Sequence, residues 1–308
     1  MPLLRSVFIA LSRNRSLRRW CEHSRTGRRL SSRFVAGRHI HDALRATESV
    51  NHQGMSVTLD SLGEDVTSEL EAREAAETYH QLLEWVASQK LNANISVKLT
   101  QMGLGLSPDL AYDIAEGLAR HAKQKGSFLR IDMEDSSLTQ VTLDIVRRVH
   151  ALPELRGSIG VVIQAYLFRS KSDIEQLLTD GIRVRLCKGA YKEPAEVAFP
   201  RKQDVDANFV RLGKMLLDSP VYHGLATHDE AMIAAAKAYA TEHNIDPSRF
   251  EFQMLYGIRR DLQRQLVNEG YNIRVYVPFG SRWYAYFMRR LAERPANVLF
   301  LAKNLFRS

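Results

Sequence analysis

Hydrophobic positions along the 308 residues fall into two rhythms that alternate. Short runs rich in branched and aromatic residues recur at 56–59, 95–99, 128–133, 159–165, 182–187, 223–227, 250–254 and 272–277. Between them, over 69–88, 108–124, 138–151, 172–179, 204–218, 231–243 and 260–268, apolar residues return every three or four positions. That is the spacing of a helix burying one face. Eight strands alternating with helices predict an α/β fold with a parallel sheet, since parallel neighbours need a crossover long enough to hold a helix. A closed (βα)8 barrel is favoured over an open sheet. One more helical stretch, 281–293, follows the last strand. No linker of biased composition divides 41–308, so a single domain is expected there.

Composition narrows the class. Charged residues make up 25% and hydrophobic ones 45%, which excludes a disordered or collagen-like chain. No run of apolar residues is long enough to span a bilayer. Two cysteines, Cys21 and Cys187, cannot make a disulfide framework, and favour a reducing compartment. The net charge of +8 changes meaning once it is located. Residues 1–40 hold ten arginines and one acid, Glu22, a balance of +9. The remaining 33 basic and 34 acidic side chains give −1. A nucleic-acid enzyme spreads positive charge along its working groove, so no nucleic acid is expected as partner. Three readings of the basic segment stand side by side: an organellar transit peptide, an amphipathic arm on the domain or an anionic membrane, and a solvated helix. The expected division is a basic helical arm over 1–45 and the barrel over 46–308.

In a barrel, reactive groups come from the carboxyl ends of the strands. Those ends read Asp60, Lys98, Asp132 with Glu134, Gln164 with Tyr166, Arg185 with Lys188, Thr227 with His228, Gln253, and Tyr276. Period-2 alternation sets Ser96, Lys98 and Thr100 on one face and Ile95, Val97 and Leu99 on the other. For one lysine or aspartate, a structural ion pair is the better explanation. Eight polar strand ends in register point instead to a site. Lys98, Arg185 and Lys188 make it cationic, offset in part by Asp60 and Asp132, as suits an anionic ligand. Lys188-Gly189-Ala190 follows its strand directly, where small residues let backbone N–H groups approach an anion. Tyr286, Arg289 and Arg290 share one helical face, and two adjacent guanidinium forks could clamp a carboxylate; a solvated basic helix end reads equally well from spacing alone.

Met102-Gly103-Leu104-Gly105 lacks the third glycine of a dinucleotide fingerprint. There is no Walker A loop, HExxH or paired CxxC, and no metal is expected. His39 and His41 read as solvated, and Cys187 as a small buried hydrophobe. Two rival functions remain: an aldolase with Lys98 or Lys188 as Schiff-base nucleophile, and an inert barrel whose arm recruits a partner.

Seven ordered motifs carry a resemblance. They are Ile95-Ser96-Val97-Lys98-Leu99-Thr100-Gln101, Arg130-Ile131-Asp132-Met133-Glu134-Asp135, Arg185-Leu186-Cys187-Lys188-Gly189-Ala190-Tyr191, Ala226-Thr227-His228-Asp229, Phe250-Glu251-Phe252-Gln253 with Leu255-Tyr256-Gly257, Tyr276-Val277-Pro278, and the Tyr286, Arg289, Arg290 helix. From about residue 33 onward the chain resembles the proline dehydrogenases of the monofunctional bacterial type. The resemblance implies a distorted (βα)8 TIM-type barrel holding FAD non-covalently, with the final helix over the flavin. It implies oxidation of L-proline to Δ1-pyrroline-5-carboxylate and electrons passed to a membrane quinone. Arg289, Arg290 and Lys98 would hold the proline carboxylate, with Asp132 fixing Lys98. Leu255, Tyr276 and Tyr286 would wall the ring. Met133, Gln164, Arg185, Lys188, Gly189, Ala190, Thr227 and His228 would hold the flavin, with Arg185 near N5, where a cation raises the flavin's potential. The base for the substrate amine stays unassigned. Hydroxyproline is a rival substrate, disfavoured by the bulk of Tyr276. The match favours a membrane-binding arm: a peripheral protein on the inner face of the cell membrane, with the mitochondrial matrix as the alternative if 1–30 is a transit peptide.

Overall fold

All eight runs form strands in the computed structural model, which describes residues 32–63, 66–284 and 286–288. They are β1 (Ser56–Ser61), β2 (Ala93–Val97), β3 (Leu129–Ile131), β4 (Ile159–Gln164), β5 (Arg183–Cys187), β6 (His223–Ala226), β7 (Phe250–Leu255) and β8 (Asn272–Phe279). Each pairs in parallel with the next, and β8 returns to β1, so the sheet is a closed barrel. A helix α1 (Ile40–Asn51) precedes the barrel. One helix then follows each of the first seven strands: α2 (Glu69–Ser88), α3 (Pro108–Gln124), α4 (Thr139–Ala151), α5 (Ser170–Asp180), α6 (Lys202–Leu217), α7 (Glu230–Glu242) and α8 (Arg260–Asn268).

Local signals set the ends of these helices. The Ser68 and Ser107 hydroxyls accept the N–H groups of Glu71 and Leu110 at the starts of α2 and α3. Asp229 does the same for α7. Each such cap is worth about 1 kcal/mol. Outward strand residues such as Val57, Leu59, Ile95, Leu129, Val161, Leu186, Phe252 and Val275 are buried in one core with the apolar faces of the helices.

The interior is unusual for a barrel, where branched aliphatic layers dominate. Thr58, Ser96, Arg185 and Gln253 are buried there and bonded to one another from β1, β2, β5 and β7. Buried polar groups persist only when partnered, so this interior is a network specified as a unit.

The structure departs from the expected boundaries at several strand ends. β3 stops at Ile131, two residues early. The Asp132 N–H still reaches the Val97 carbonyl at 2.8 Å, and its carboxylate then engages partners inside the barrel. β1 and β8 run two residues further than expected, pairing as far as Ser61 with Phe279. Helix α1 spans position 45 and lies against β8 and β1. It takes the place in the outer ring that a helix after β8 takes in a regular barrel. The residues after β8 are therefore available to the mouth: Trp283, Tyr284 and Tyr286 to Met288 are helical and buried. They pack on Phe34, Val35, Leu62 and Ile258.

Candidate active site

A cavity of about 510 Å³ opens at the carboxyl ends of the strands, and all eight strand ends contribute to its lining. A second hollow, about 620 Å³, lies on the outer flank beside α1 and α2, and among the described residues no carboxylate lines it. The chemistry is concentrated in the first.

Asp132 is its hub. Oδ1 accepts from the Ser96 hydroxyl at 2.6 Å and from Arg185 Nη1 at 2.8 Å. Oδ2 accepts from the Tyr276 hydroxyl at 2.8 Å, and Lys98 Nζ stands 3.6 Å away. The same ammonium is 3.7 Å from Asp60 Oδ2. Burial opposes ionisation of Asp132, yet the Lys98 and Arg185 charges and the two hydroxyls outweigh it, holding the carboxyl below its ordinary range. Burial, followed by the Asp132 and Asp60 charges, drives the Tyr276 hydroxyl well above the usual tyrosine value, so it remains a donor.

Arg185 lies beneath, reaching from β5 across the barrel. Its Nε donates to Gln253 Oε1 at 2.5 Å and its Nη2 to Thr58 Oγ1 at 3.3 Å. Its guanidinium sits 5.3 Å from the centroid of the Tyr276 ring. On the far wall, Gln164 donates to the carbonyls of Met133 and Glu134. His228 Nε2 accepts the Leu255 N–H at 2.9 Å, which in a neutral ring puts the proton on Nδ1. Thr227 Oγ1 accepts the Asp229 N–H. Lys188 bonds Asp206 at 2.5 Å and Asp229 at 2.8 Å, and Lys202 joins the same pair of carboxylates. Gly189 has φ +110°, and a Cβ there would overlap the Tyr166 ring. Glycine is required at that point of the loop after β5.

The structure brings Lys98, Asp132, Met133, Gln164, Arg185, Lys188, Gly189, Ala190, Thr227, His228, Leu255, Tyr276 and Tyr286 to one cavity. Arg289 and Arg290 lie outside the described residues. Three expectations need correction. Glu134 turns away from the mouth and binds the Thr100 N–H and hydroxyl, because β2 has ended and Thr100 sits in a turn. Tyr166 packs under Gly189 and bonds Gln164 and Glu193 instead of facing the cavity. Cys187 lines the cavity, half-buried, and burial pushes its thiol up to about 12. The lining keeps the expected small excess of cations: Lys98, Arg185, Lys188 and Lys202 face Asp60, Asp132 and Asp229. Lys202, Asp206 and Asp229 escaped the sequence reading as site residues, since α6 and α7 bring them in from outside the strands.

The proline dehydrogenase family profile matches residues 43–303. The chain belongs to the proline dehydrogenase family. It is 44% identical over 306 residues to proline dehydrogenase 1 of Bacillus subtilis (strain 168), covering 99% of this chain and 100% of that one. It is 41% identical over 284 residues to the proline dehydrogenase of Deinococcus radiodurans, covering 90% of each. A crystal structure of proline utilization A from Bdellovibrio bacteriovorus, inactivated by N-propargylglycine, superposes with a TM-score of 0.82 at 29% identity. That match covers 87% of this chain and 33% of the larger protein. Membership in the family gives the cavity an activity to account for, proline dehydrogenation, the first step of proline catabolism.

Proposed function

We propose that this cavity oxidises L-proline to Δ1-pyrroline-5-carboxylate with non-covalent FAD, and that the electrons pass to a membrane quinone. The observation that carries the reading is the Asp132 hub: a carboxylate that locks one cation, Lys98, at the cavity wall and another, Arg185, at its floor. Proline carries a carboxylate, and a fixed ammonium attracts it without ordering a mobile side chain at each turnover. Arg289 and Arg290 supply the remaining carboxylate contacts in this reading, on the strength of the family resemblance. Leu255, Tyr276 and Tyr286 offer apolar surface to the pyrrolidine ring and keep water from it. The bulk of Tyr276 favours proline over hydroxyproline.

The residues present fit a flavin. Met133, Val162, Leu255 and Tyr276 give a flat ring apolar faces, and Gly189 with Ala190 bring backbone close to the cavity. Bound there, FAD supplies the hydride acceptor. Arg185 is already anchored by Asp132, Gln253 and Thr58 and favours negative charge arising above it. Gln164, Lys188, Thr227 and His228 complete the cofactor contacts in this proposal.

N-propargylglycine, which inactivated the related Bdellovibrio protein, tests the assignment. Incubation with it is expected to abolish proline-dependent turnover in a time-dependent way, with L-proline protecting. Full activity after prolonged incubation would count against the shared site.

A further inference from the structure

The buried polar network continues below the cavity into residues that do not line it. Glu251 on β7 is 4% exposed and is absent from the lining. Its Oε1 accepts from Gln253 Nε2 at 2.6 Å and from Arg274 Nε at 2.7 Å, and its Oε2 accepts from the Tyr222 hydroxyl at 3.1 Å. Arg274 in turn donates Nη1 to the Val57 carbonyl at 2.8 Å. Burial opposes the charge on Glu251, but Arg274 and the donors around it hold the carboxyl below its usual range.

Gln253 stands two residues along the same strand, and the two ends of its amide are not interchangeable here. A carboxylate can only accept and a guanidinium can only donate. With Nε2 given to Glu251, Oε1 is left facing Arg185 Nε at 2.5 Å. Reversed, the amide would set acceptor against acceptor at one end and donor against donor at the other. Gly224 on β6 makes the room, because a Cβ there would overlap the same amide.

We propose that Glu251 is a positioning residue for Arg185: it fixes the orientation of the Gln253 amide, and through it the seat of the guanidinium under the cavity. The inference rests on the proposed function only in giving Arg185 a cofactor to face.

The test is solvent exchange of the Arg185 Nε–H, followed by ¹⁵N NMR on FAD-loaded protein, in the wild type and two variants. Glu251→Asp keeps the charge but withdraws it from Gln253, and exchange is expected to quicken roughly tenfold. Glu251→Gln keeps the reach and weakens the acceptor, and a smaller acceleration, at least about threefold, is expected. Wild-type rates in both would overturn the proposal. Should the Asp variant not fold, the Gln variant decides alone, an unchanged rate overturning it.

The flavin potential gives the second reading. It is expected to fall in Glu251→Asp, where no charge has been lost and only the seat of the cation has moved. Faster exchange with an unchanged potential supports the positioning role and counts against Arg185 facing the flavin. A wild-type chain that binds no flavin leaves the exchange order to decide the positioning role, while the reading of the cavity falls.

Discussion

Asp132 shows how much one side chain carries in this barrel. A carboxylate so enclosed would cost several kcal/mol if unpartnered, and four groups from β2, β5, β8 and the turn after β2 meet it. Asp132→Asn keeps the shape, removes the charge and points an N–H group at donors that have lost their acceptor. A loss of about 3 kcal/mol in folding stability is expected, with kcat/KM for proline down by at least about tenfold. Denaturant melts and steady-state kinetics read the two, and wild-type values in both would remove the hub role. Because the folded pKa of Asp132 lies below the ordinary carboxylate value, its stabilisation is complete above pH ~4 and is lost only as pH falls through the lowered folded pKa. Period-2 alternation made Lys98 and Asp132 visible in the sequence, and it put Ser96 on the right face. The Ser96 to Asp132 bond was out of reach, since its partners are 36 residues apart and only the pairing of β2 with β3 joins them.

At the scale of the element, β6 carries a group that titrates against the fold. His223 is buried, its Nδ1 accepts the Val184 N–H at 3.0 Å, and its Nε2 meets no hydrogen-bond partner among the described residues. Burial, reinforced by Arg130 and Arg183, takes its pKa down to about 3. An unfolded histidine titrates near 6.5. Between those values the unfolded chain binds a proton that the folded chain refuses, so stability falls as pH drops through the window. His223 alone contributes a loss of about 2 kcal/mol between pH 6.5 and pH 5. Urea melts at the two pH values should show a smaller decline in His223→Gln, and an equal decline in both would contradict the assignment. The strands themselves were legible because their outward positions are mostly apolar, His223 on β6 being an exception. Helix α1 was not singled out, although its buried face of Ala43, Leu44, Ala46, Thr47 and Val50 recurs every three or four positions, because it straddles the expected boundary between arm and barrel at residue 45.

Over the whole molecule, sequence periodicity accounts for a closed barrel and for one mouth shared by eight strand ends. It did not reveal that the place after β8 in the outer ring is taken by α1, which frees Tyr286 for the cavity. Nor did it reveal the contributions of α6 and α7, because Asp206 and Asp229 look like ordinary helix-start acids until Lys188 is found between them. The charge of the chain divides into a near-neutral body and a first 40 residues at +9, which is compatible with the proposal that electrons pass to a quinone in an anionic membrane. In that proposal the arm binds the inner face of the cell membrane at ~1 kcal/mol per basic residue. Deleting residues 1–30 is expected to abolish sedimentation with anionic vesicles while leaving turnover with a soluble electron acceptor intact. Undiminished sedimentation would return the arm to a structural role.

The central claim is that the cavity joins a flavin to proline, and a visible absorption spectrum tests it most directly. Purified protein, reconstituted with FAD and kept anaerobic, should show an oxidised flavin spectrum that bleaches with L-proline and not with D-proline. A protein that takes up no flavin, or a bound flavin that L-proline leaves oxidised, would contradict the account.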